Sequence, residues 1–326
     1  MGFPTSALGS LRPELAEGFE QFDLAADRQG FVGHRVLPPF EVAKASGTFP
    51  KITLESLLQN QETKRSPRTG YNRGDWTFTT DTYATEEHGW EEPVDAREST
   101  MYAEFFDFEQ ICAARAYDVV LRSAEKRIAD AIFNATTWTG AALTTGITHE
   151  WDDATNAVPI TDVNAAAKKV WDGTGLWPNA LIINRFVFRN LRNCAQIKDA
   201  IASAGAGYPT RAQDVTTAQL AAVFDLDHIL VSGSAQNTAN EAQTRSLSPM
   251  WSDEYAMVCR LAVSGDMREP CVGRTFHWGE DGSQIGGAVE SYSEAKVRAE
   301  VIRVRHEVDE KVLYTGCGHL LSNVTT

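Results

Sequence analysis

The chain has no run of 18 or more apolar residues, so no helix of membrane-spanning length is written into it. Its first residues, MGFPTSALGSLRPELAEG, lack a basic stretch followed by an apolar core, and no signal peptide is expected. MGFPTS fits the myristoylation pattern, but that reading needs a eukaryotic transferase and is set aside. Walker A, G-x-S-x-G and H-E-x-x-H sequences are missing, as is a glycine-rich turn between a strand and a helix. No catalytic residue, cofactor or metal is therefore expected. The five cysteines (Cys112, Cys194, Cys259, Cys271 and Cys317) form no C-x-x-C pair. Their odd number and wide spacing point to reduced, mostly buried thiols. Net positive charge is also missing: 30 Lys and Arg against 44 Asp and Glu leave −14. That disfavours a tight grip on nucleic acid by the isolated chain, although Lys64, Arg65 and Arg68 make a local basic patch.

What is present is an ordinary soluble composition over 326 residues, 43% hydrophobic and 23% charged, with no internal repeat or low-complexity tract. The most telling segment is KVRAEVIRVRHEVDEKVL, from Lys296 to Leu313. Ile302, Val304, His306, Val308 and Val312 alternate with Arg303, Arg305, Glu307, Asp309 and Lys311. Val297, Ala299 and Val301 alternate in the opposite phase, so a β-bulge at Val301–Ile302 is expected. About 17 residues of strand reach roughly 55–60 Å, against a usual strand of about 5–6 residues. Such a ribbon suits an elongated subunit that meets neighbours.

Residues 1–59 carry Pro38, Pro39 and Pro50 and only short apolar runs, GFVGHRVLPPF and EVAKASGTFPKI. They read as an extended arm with small strands. Asn60–Pro93 is polar, with a turn at Thr69–Gly74 and alternation through Trp76 and Phe78. A two-stranded hairpin is expected there, and so long a segment without its own core makes sense under a second subunit. Phe108–Asn134 contains neither Pro nor Gly, and Tyr117, Leu121, Ala124, Ile128 and Ile132 share one helical face. Asp107 and Gln110 suit an N-cap and its N3 partner, and Asp118–Arg122 and Lys126–Asp130 suit i,i+4 pairs. The middle third reads as α/β. Helices are expected at Asp162–Trp171, Arg185–Ala202 (Phe186, Phe188, Leu191 and Ile197 inward) and Thr217–Phe224. Strands are expected at Ala180–Asn184 and Asp227–Ser232, with one or two more between Trp251 and Val263. GAGYPT, from Gly205, reads as a loop.

Two acidic stretches invite a metal reading, EEHGWEE around His88 and HEWDD from His149. Nothing in either fixes ligand geometry, and a solvated or intersubunit charge patch is the plainer reading. His306 reads as a core or interface histidine, with a pH-sensitive interface as the sharper alternative. The sequons at Asn134 and Asn323 matter only in a secretory setting. Arg303, Arg305, Glu307, Asp309 and Lys311 are a solvated face or, if two copies align, a register-setting contact.

The order of arm, polar hairpin, very long helix, α/β unit and very long closing strand resembles the major capsid proteins of tailed bacteriophages. The arm segment GFVGHRVLPPFEVAKASGTFPKI, the segments WPNALIINRFVFRNLRNCAQIKDAI and TTAQLAAVFDLDHILVSGSAQNTA, then MWSDEYAMVCRLAV, GRTFHW and AEVIRVRHEVDEKVLYTGCGHLL carry the likeness. The resemblance implies an α+β, Hong Kong 97-type fold. Residues 1–59 would be the N-arm and 60–93 the E-loop. Residues 94–150 and 290–313 would form the peripheral domain with its spine helix, and 151–289 with 314–326 the axial domain. It implies a non-enzymatic shell protein forming hexamers and pentamers of an icosahedral head in the virion, assembled in the bacterial cytoplasm. Packaged double-stranded DNA would be held non-specifically, and scaffolding, decoration and portal proteins are further partners; no membrane is involved. Candidate intersubunit contacts are Lys64, Arg65, Arg68, Arg73 and Trp76 on the E-loop, with Arg303, Arg305, Glu307, Asp309 and Lys311 on the closing strand. Some members weld an E-loop lysine to a neighbour's asparagine; Lys64 lies in the matching loop without an evident partner, and no cross-link is expected. A cleaved N-terminal scaffolding region is not evident either. The alternatives are an encapsulin-like nanocompartment shell and, in another class, a cytosolic α/β enzyme. Charge reversal at Arg303 or Arg305 is expected to impair assembly more than folding.

Overall fold

The computed structural model describes residues 10–11, 30–54, 58–74, 78–102, 108–203, 209, 214–240, 242–279, 283, 285–296 and 298–325. In chain order the arm supplies β1 (Ser10–Leu11), a single helical turn α1 (Gly33–Val36) and β2 (Pro39–Val42). Then come β3 (Ser46–Ile52), β4 (Phe78–Ala84), β5 (Glu86–Asp95), α2 (Ala96–Tyr102) and the long helix α3 (Phe108–Ile132). The central region holds β6 (Thr144–Gly146), α4 (Pro159–Thr174), β7 (Ala180–Asn184), α5 (Arg185–Leu191), α6 (Ala195–Ile201), α7 (Thr217–Phe224) and β8 (His228–Ser232). It continues through β9 (Ala235–Asn237), β10 (Leu247–Pro249), β11 (Tyr255–Cys259) and β12 (Gly273–Trp278). β13 (Ala288–Glu294), β14 (Ala299–Val312) and β15 (Gly318–Ser322) close the chain.

Two larger sheets organise the described residues. The first has six strands, in the order β1-β13-β14-β12-β2 with β5 also on β14. The second has five, in the order β6-β15-β11-β7-β8. β7 is buried at every position because its side chains alternate between two cores. Leu181 and Ile183 face α4, α5, α6 and α7, whereas Ala180 and Ile182 face Val36 and Leu37 of the arm and Ile128 and Ile132 of α3. α3 therefore spans the molecule. Cys112, Ala116, Val120 and Leu121 pack on Val94, Val289, Ile302 and Val304 of the first sheet, and its last turns enter the second. Its 25 residues make a rod of about 37 Å. Tyr117, Leu121, Ala124, Ile128 and Ile132 are all buried, as their spacing requires. The expected N-cap, Asp107, lies outside the described residues.

Several expectations need correction. β14 has 14 residues, about 46 Å of strand, and contains no bulge. Both ladders run through the phase change unbroken: Val301 faces Tyr292 and Pro93, Ile302 faces Ser291 and Glu92. Both residues are buried because Ile302 lies under α3, while Val301 packs on the opposite face among its cross-strand neighbours. Val297 lies outside the described residues. The helix expected over Arg185–Ala202 breaks at Cys194, whose extended backbone starts α6 while Ala195 N–H bonds the carbonyl of Ala154 at 2.8 Å. The short α5 turns Val187, Phe188 and Leu191 inward and leaves Phe186 57% exposed. Between Trp251 and Val263, by contrast, the expected one or two strands are met by one, β11. β12, expected in the axial segment, joins the first sheet beside β14, and β6, expected in the peripheral segment, joins the second sheet beside β15. Strand pairing is non-local, so a boundary drawn along the chain cuts across both. Of the GAGYPT loop only Pro209 is described.

Candidate intersubunit surfaces

The hairpin is real, but its first strand precedes the expected one. β3 pairs antiparallel with β4 from Ser46↔Ala84 to Ile52↔Phe78. The described residues between them form no strand. The turn sits at Ser66–Thr69, where Thr69 N–H bonds the carbonyl of Ser66 at 3.3 Å and Arg68 adopts φ 65°. Residues 86–93, expected in the hairpin, instead add β5 to β14. β4 and β5 thus run on as one ribbon beside β14.

That ribbon decides what the charged face of β14 touches. Lys311 Nζ bonds Asp81 at 2.6 Å and also reaches the carbonyl of Thr82. Ala84 N–H donates to Asp309 at 3.0 Å, and Thr85 Oγ1 lies 3.5 Å from Glu307. Arg305 pairs with Glu290 at 2.7 Å and stands 3.8 Å from Glu87. Arg303 pairs with Glu91 at 2.7 Å and stands 3.6 Å from Glu290. Every one of these five candidates has a partner within its own subunit, and β14 is flanked by strands rather than lying at an edge. Burial works to raise the Asp81 carboxyl, but the bonds from Lys311 and Thr82 and the charges of Lys311 and Lys51 hold it below the usual range. Burial raises the Asp309 carboxyl, opposed by the bond from Ala84 and the Lys311 charge. On the inner side of this region Tyr83 stacks on Phe276, centroids 4.9 Å apart, and Phe49 lies 5.3 Å from the same ring. Lys51 reaches the carbonyl of Leu313 and sits over the Tyr314 ring at 4.5 Å. The face expected to meet a neighbour therefore clamps the base of the hairpin.

Leu54 still packs on the cluster around Phe276 and Tyr314, and the described residues beyond it leave that core. Residues 58–74 are exposed throughout and bond mainly to one another. Arg65 Nε donates to the carbonyl of Thr69 at 2.7 Å and its guanidinium lies 4.8 Å from the Tyr71 ring. Asn72 Nδ2 donates to the carbonyl of Glu62 at 2.7 Å. Lys64, Arg65, Arg68 and Arg73 all stand on this knob; Trp76 lies outside the described residues.

His306 is fully buried, its Nδ1 3.0 Å from the carbonyl of Ile285 and its Nε2 3.4 Å from Arg127. Arg127 in turn grips Glu310 at 2.7 Å, and His88, directly opposite His306 in register, meets it edge-on at 6.0 Å. Burial, reinforced by Arg127 and only partly offset by the Ile285 bond, pushes His306 down to about 4. This is a core histidine joining helix to sheet. The EEHGWEE stretch around it is strand β5, and no group of three or more metal-ligating side chains comes together among the described residues. The five cysteines are buried free thiols.

Comparison with known proteins supplies what geometry does not. No family model matches the chain. In sequence it is 25% identical over 202 residues to a major capsid protein of Burkholderia phage BcepMu, and 24% identical over 298 residues to that of Pseudomonas phage JBD67. These matches cover 62% and 90% of this chain, and the chain spans 63% of the first relative's length and 91% of the second's. In structure it superposes on a phage-related protein from Bordetella bronchiseptica with a TM-score of 0.71 at 16% identity, covering 97% of this chain and 98% of the other. The capsid of cyanophage P-SCSP1u follows at 0.58 and 11%, covering 99% and 92%. The chain has the Hong Kong 97-type fold of tailed-phage major capsid proteins. An encapsulin complex from Synechococcus elongatus also shares the capsid fold, at a TM-score of 0.50 and 10% identity, covering 89% and 86%, so the fold alone does not separate heads from nanocompartments.

Sequence reading missed the ribbon's outer side. Glu87, Gly89, Trp90 and Glu91 border an open depression of about 450 Å³ over Arg303 and Arg305. The signal was present in EEHGWEE, a carboxylate cluster with an exposed tryptophan, but nothing local says which strand it lies beside.

Proposed function

We propose that the chain is the structural subunit of an icosahedral phage head, built from hexamers and pentamers and enclosing double-stranded DNA held non-specifically. One observation carries this reading. An exposed, self-bonded E-loop is clamped at its base by Lys311, Asp81 and Lys51 and projects away from its own core, in a chain whose relatives are phage capsid proteins. A rigidly rooted projection with no core of its own is built to be covered by another copy. The acidic total of −14 suits a container that must not bind its cargo tightly. Its role is non-enzymatic, its place is the virion, assembly occurs in the bacterial cytoplasm, and scaffolding, decoration and portal proteins are its further partners.

The test is electron microscopy of the expressed chain, with scaffold where one is needed, and of particles released from the host. Closed shells carrying the chain and filled with DNA are expected. A chain that stays monomeric under all these conditions overturns the reading, and shells holding a protein cargo without DNA replace it with a nanocompartment.

A further inference from the structure

Between Asp172 and Asp199 the chain carries Arg185, Arg189, Arg192 and Lys198 and no carboxylate, in a protein whose total is −14. Three of those cations belong to α5 and the residue that ends it. β7 runs straight into this helix, and Asn184 fixes the junction: its Oδ1 accepts from Phe186 N–H at 2.7 Å and its Nδ2 donates to the carbonyl of Trp251. Val187, Phe188 and Leu191 turn into the core. The outward positions are Arg185, Phe186, Arg189 and Asn190, followed by Arg192 and Asn193. That face holds guanidiniums, amides and one exposed phenyl ring. Arg192 keeps helical backbone angles, so Arg185, Arg189 and Arg192 stand at i, i+4 and i+7 and form one stripe about 10 Å long.

The stripe is unpaired and already oriented. Arg122, Arg127 and Arg305 each grip a carboxylate, whereas none of these three does among the described residues. Arg185 and Arg192 instead flank the Phe188 ring, their guanidiniums 5.9 and 5.1 Å from its centroid. Guanidiniums held in this way match phosphate oxygens bidentately. One strand of duplex DNA presents a phosphate about every 3.4 Å of axis, so a stripe of this length faces about three of them. A row of equal, evenly spaced charges meets the stripe in any register. The amides and the phenyl ring add backbone contact without reading sequence. A protein partner would need carboxylates set at matching positions.

We infer that the Arg185–Arg189–Arg192 face of α5 is a contact surface for the backbone of double-stranded DNA. The inference rests on the reading of the chain as the subunit of a DNA-filled head and names where the DNA touches it. About three contacts on a chain of net charge −14 make a weak grip, which gains strength from many copies in one shell.

The test is fluorescence anisotropy of a labelled duplex of about 30 base pairs titrated with the soluble full chain. Three phosphate contacts should weaken binding on the order of fortyfold between about 50 and about 200 mM salt. Arg185→Gln with Arg189→Gln, both at exposed sites, should cut that change to about fourfold while circular dichroism and the urea midpoint stay as in wild type. Arg185→Lys with Arg189→Lys keeps the charge and should keep most of the salt dependence. As a second measurement, ultraviolet cross-linking of DNA-filled particles should put nucleotide on the Phe186–Arg189 tryptic peptide, read by mass spectrometry. A wild-type chain that ignores the duplex at about 50 mM salt, a glutamine variant that binds as wild type does, or nucleotide found only on other peptides overturns the surface and leaves the head reading intact. Lost shell formation in the glutamine variant with duplex binding unchanged assigns the stripe to a second copy of the chain and overturns it equally. Wild-type particles without DNA are the separate result that counts against the head reading itself.

Discussion

Glu125 of the long helix α3 accepts the backbone N–H of Gly33 at 2.7 Å, from inside the core. The same carboxylate accepts from Val32 N–H at 2.9 Å and from Trp251 Nε1 at 2.6 Å. One buried side chain thus ties Val32 and Gly33 at the start of α1, the long helix α3 and Trp251 ahead of β11 together. Burial raises its pKa, opposed by those three hydrogen bonds. Glu125→Ala leaves three buried donors without their acceptor and is expected to cost about 3–5 kcal/mol. Gly33→Ala would bring a Cβ to 2.5 Å from Glu125 Oε2 and 2.9 Å from Ile128 Cδ1, and should cost about 1–3 kcal/mol. Urea unfolding of the soluble subunit checks both. A midpoint unchanged in Glu125→Ala would show that the tie contributes nothing.

His306 makes stability depend on acid. Its folded pKa of about 4 lies below the ordinary 6.5, so between those values the unfolded chain binds the proton and the folded chain does not. Stability is therefore lost as pH falls from about 6.5 to about 4 and is regained as pH rises, with the His306 share on the order of 3 kcal/mol. His88 and His319, both lowered by burial, slope the same way. His306→Asn should flatten the pH dependence of the urea midpoint across that window without removing it, and an unchanged slope would exclude His306 as a contributor.

Arg303 and Arg305 now separate. Arg305 and Glu290 are both mostly buried, whereas Arg303 and Glu91 are about two-fifths exposed. Arg305→Ala should cost about 2 kcal/mol by leaving Glu290 with only the longer 3.6 Å contact to Arg303, and Arg303→Ala no more than about 1 kcal/mol. Assembly assays on Arg305 variants consequently report folding as well as contact, and Arg303 is the cleaner probe of a neighbour. Equal unfolding midpoints for the two variants would refute this ranking.

Helix α7 carries a full capping box: Thr216 Oγ1 accepts from Gln219 N–H at 3.3 Å, and Gln219 Oε1 accepts from Thr216 N–H at 2.9 Å. Thr216→Ala is expected to cost about 1 kcal/mol, and Thr216→Ser much less, both measurable by thermal or urea unfolding.

Much of the fold was legible in the sequence wherever the signal is local. The five-residue helical face from Tyr117 to Ile132 and the absence of Pro and Gly marked α3 to within two residues of its end. Ala180–Asn184 and Thr217–Phe224 match β7 and α7 residue for residue. The misses share one cause. Alternation in β14 showed which residues share a side, but not that β5 lies along it; hence a bulge was expected where Val301 is simply covered by its neighbours. The charged face looked available because its partners, Asp81, Glu87, Glu91 and Glu290, lie between 13 and 230 positions away in the chain.

By itself the sequence determined the locally coded elements, such as α3, β7 and α7, and the chain's likeness to capsid proteins, because helical and strand periods, caps and breakers act over a few residues. Only the tertiary structure decided that the β3–β4 hairpin starts at Ser46, that β14 is an interior strand, that Glu125 holds α3 to Gly33 and Trp251, and that His306 meets Arg127 of α3 from the sheet. Those outcomes depend on register and on which surfaces meet after collapse. They are set by the joint burial of distant residues, which no short stretch of sequence contains.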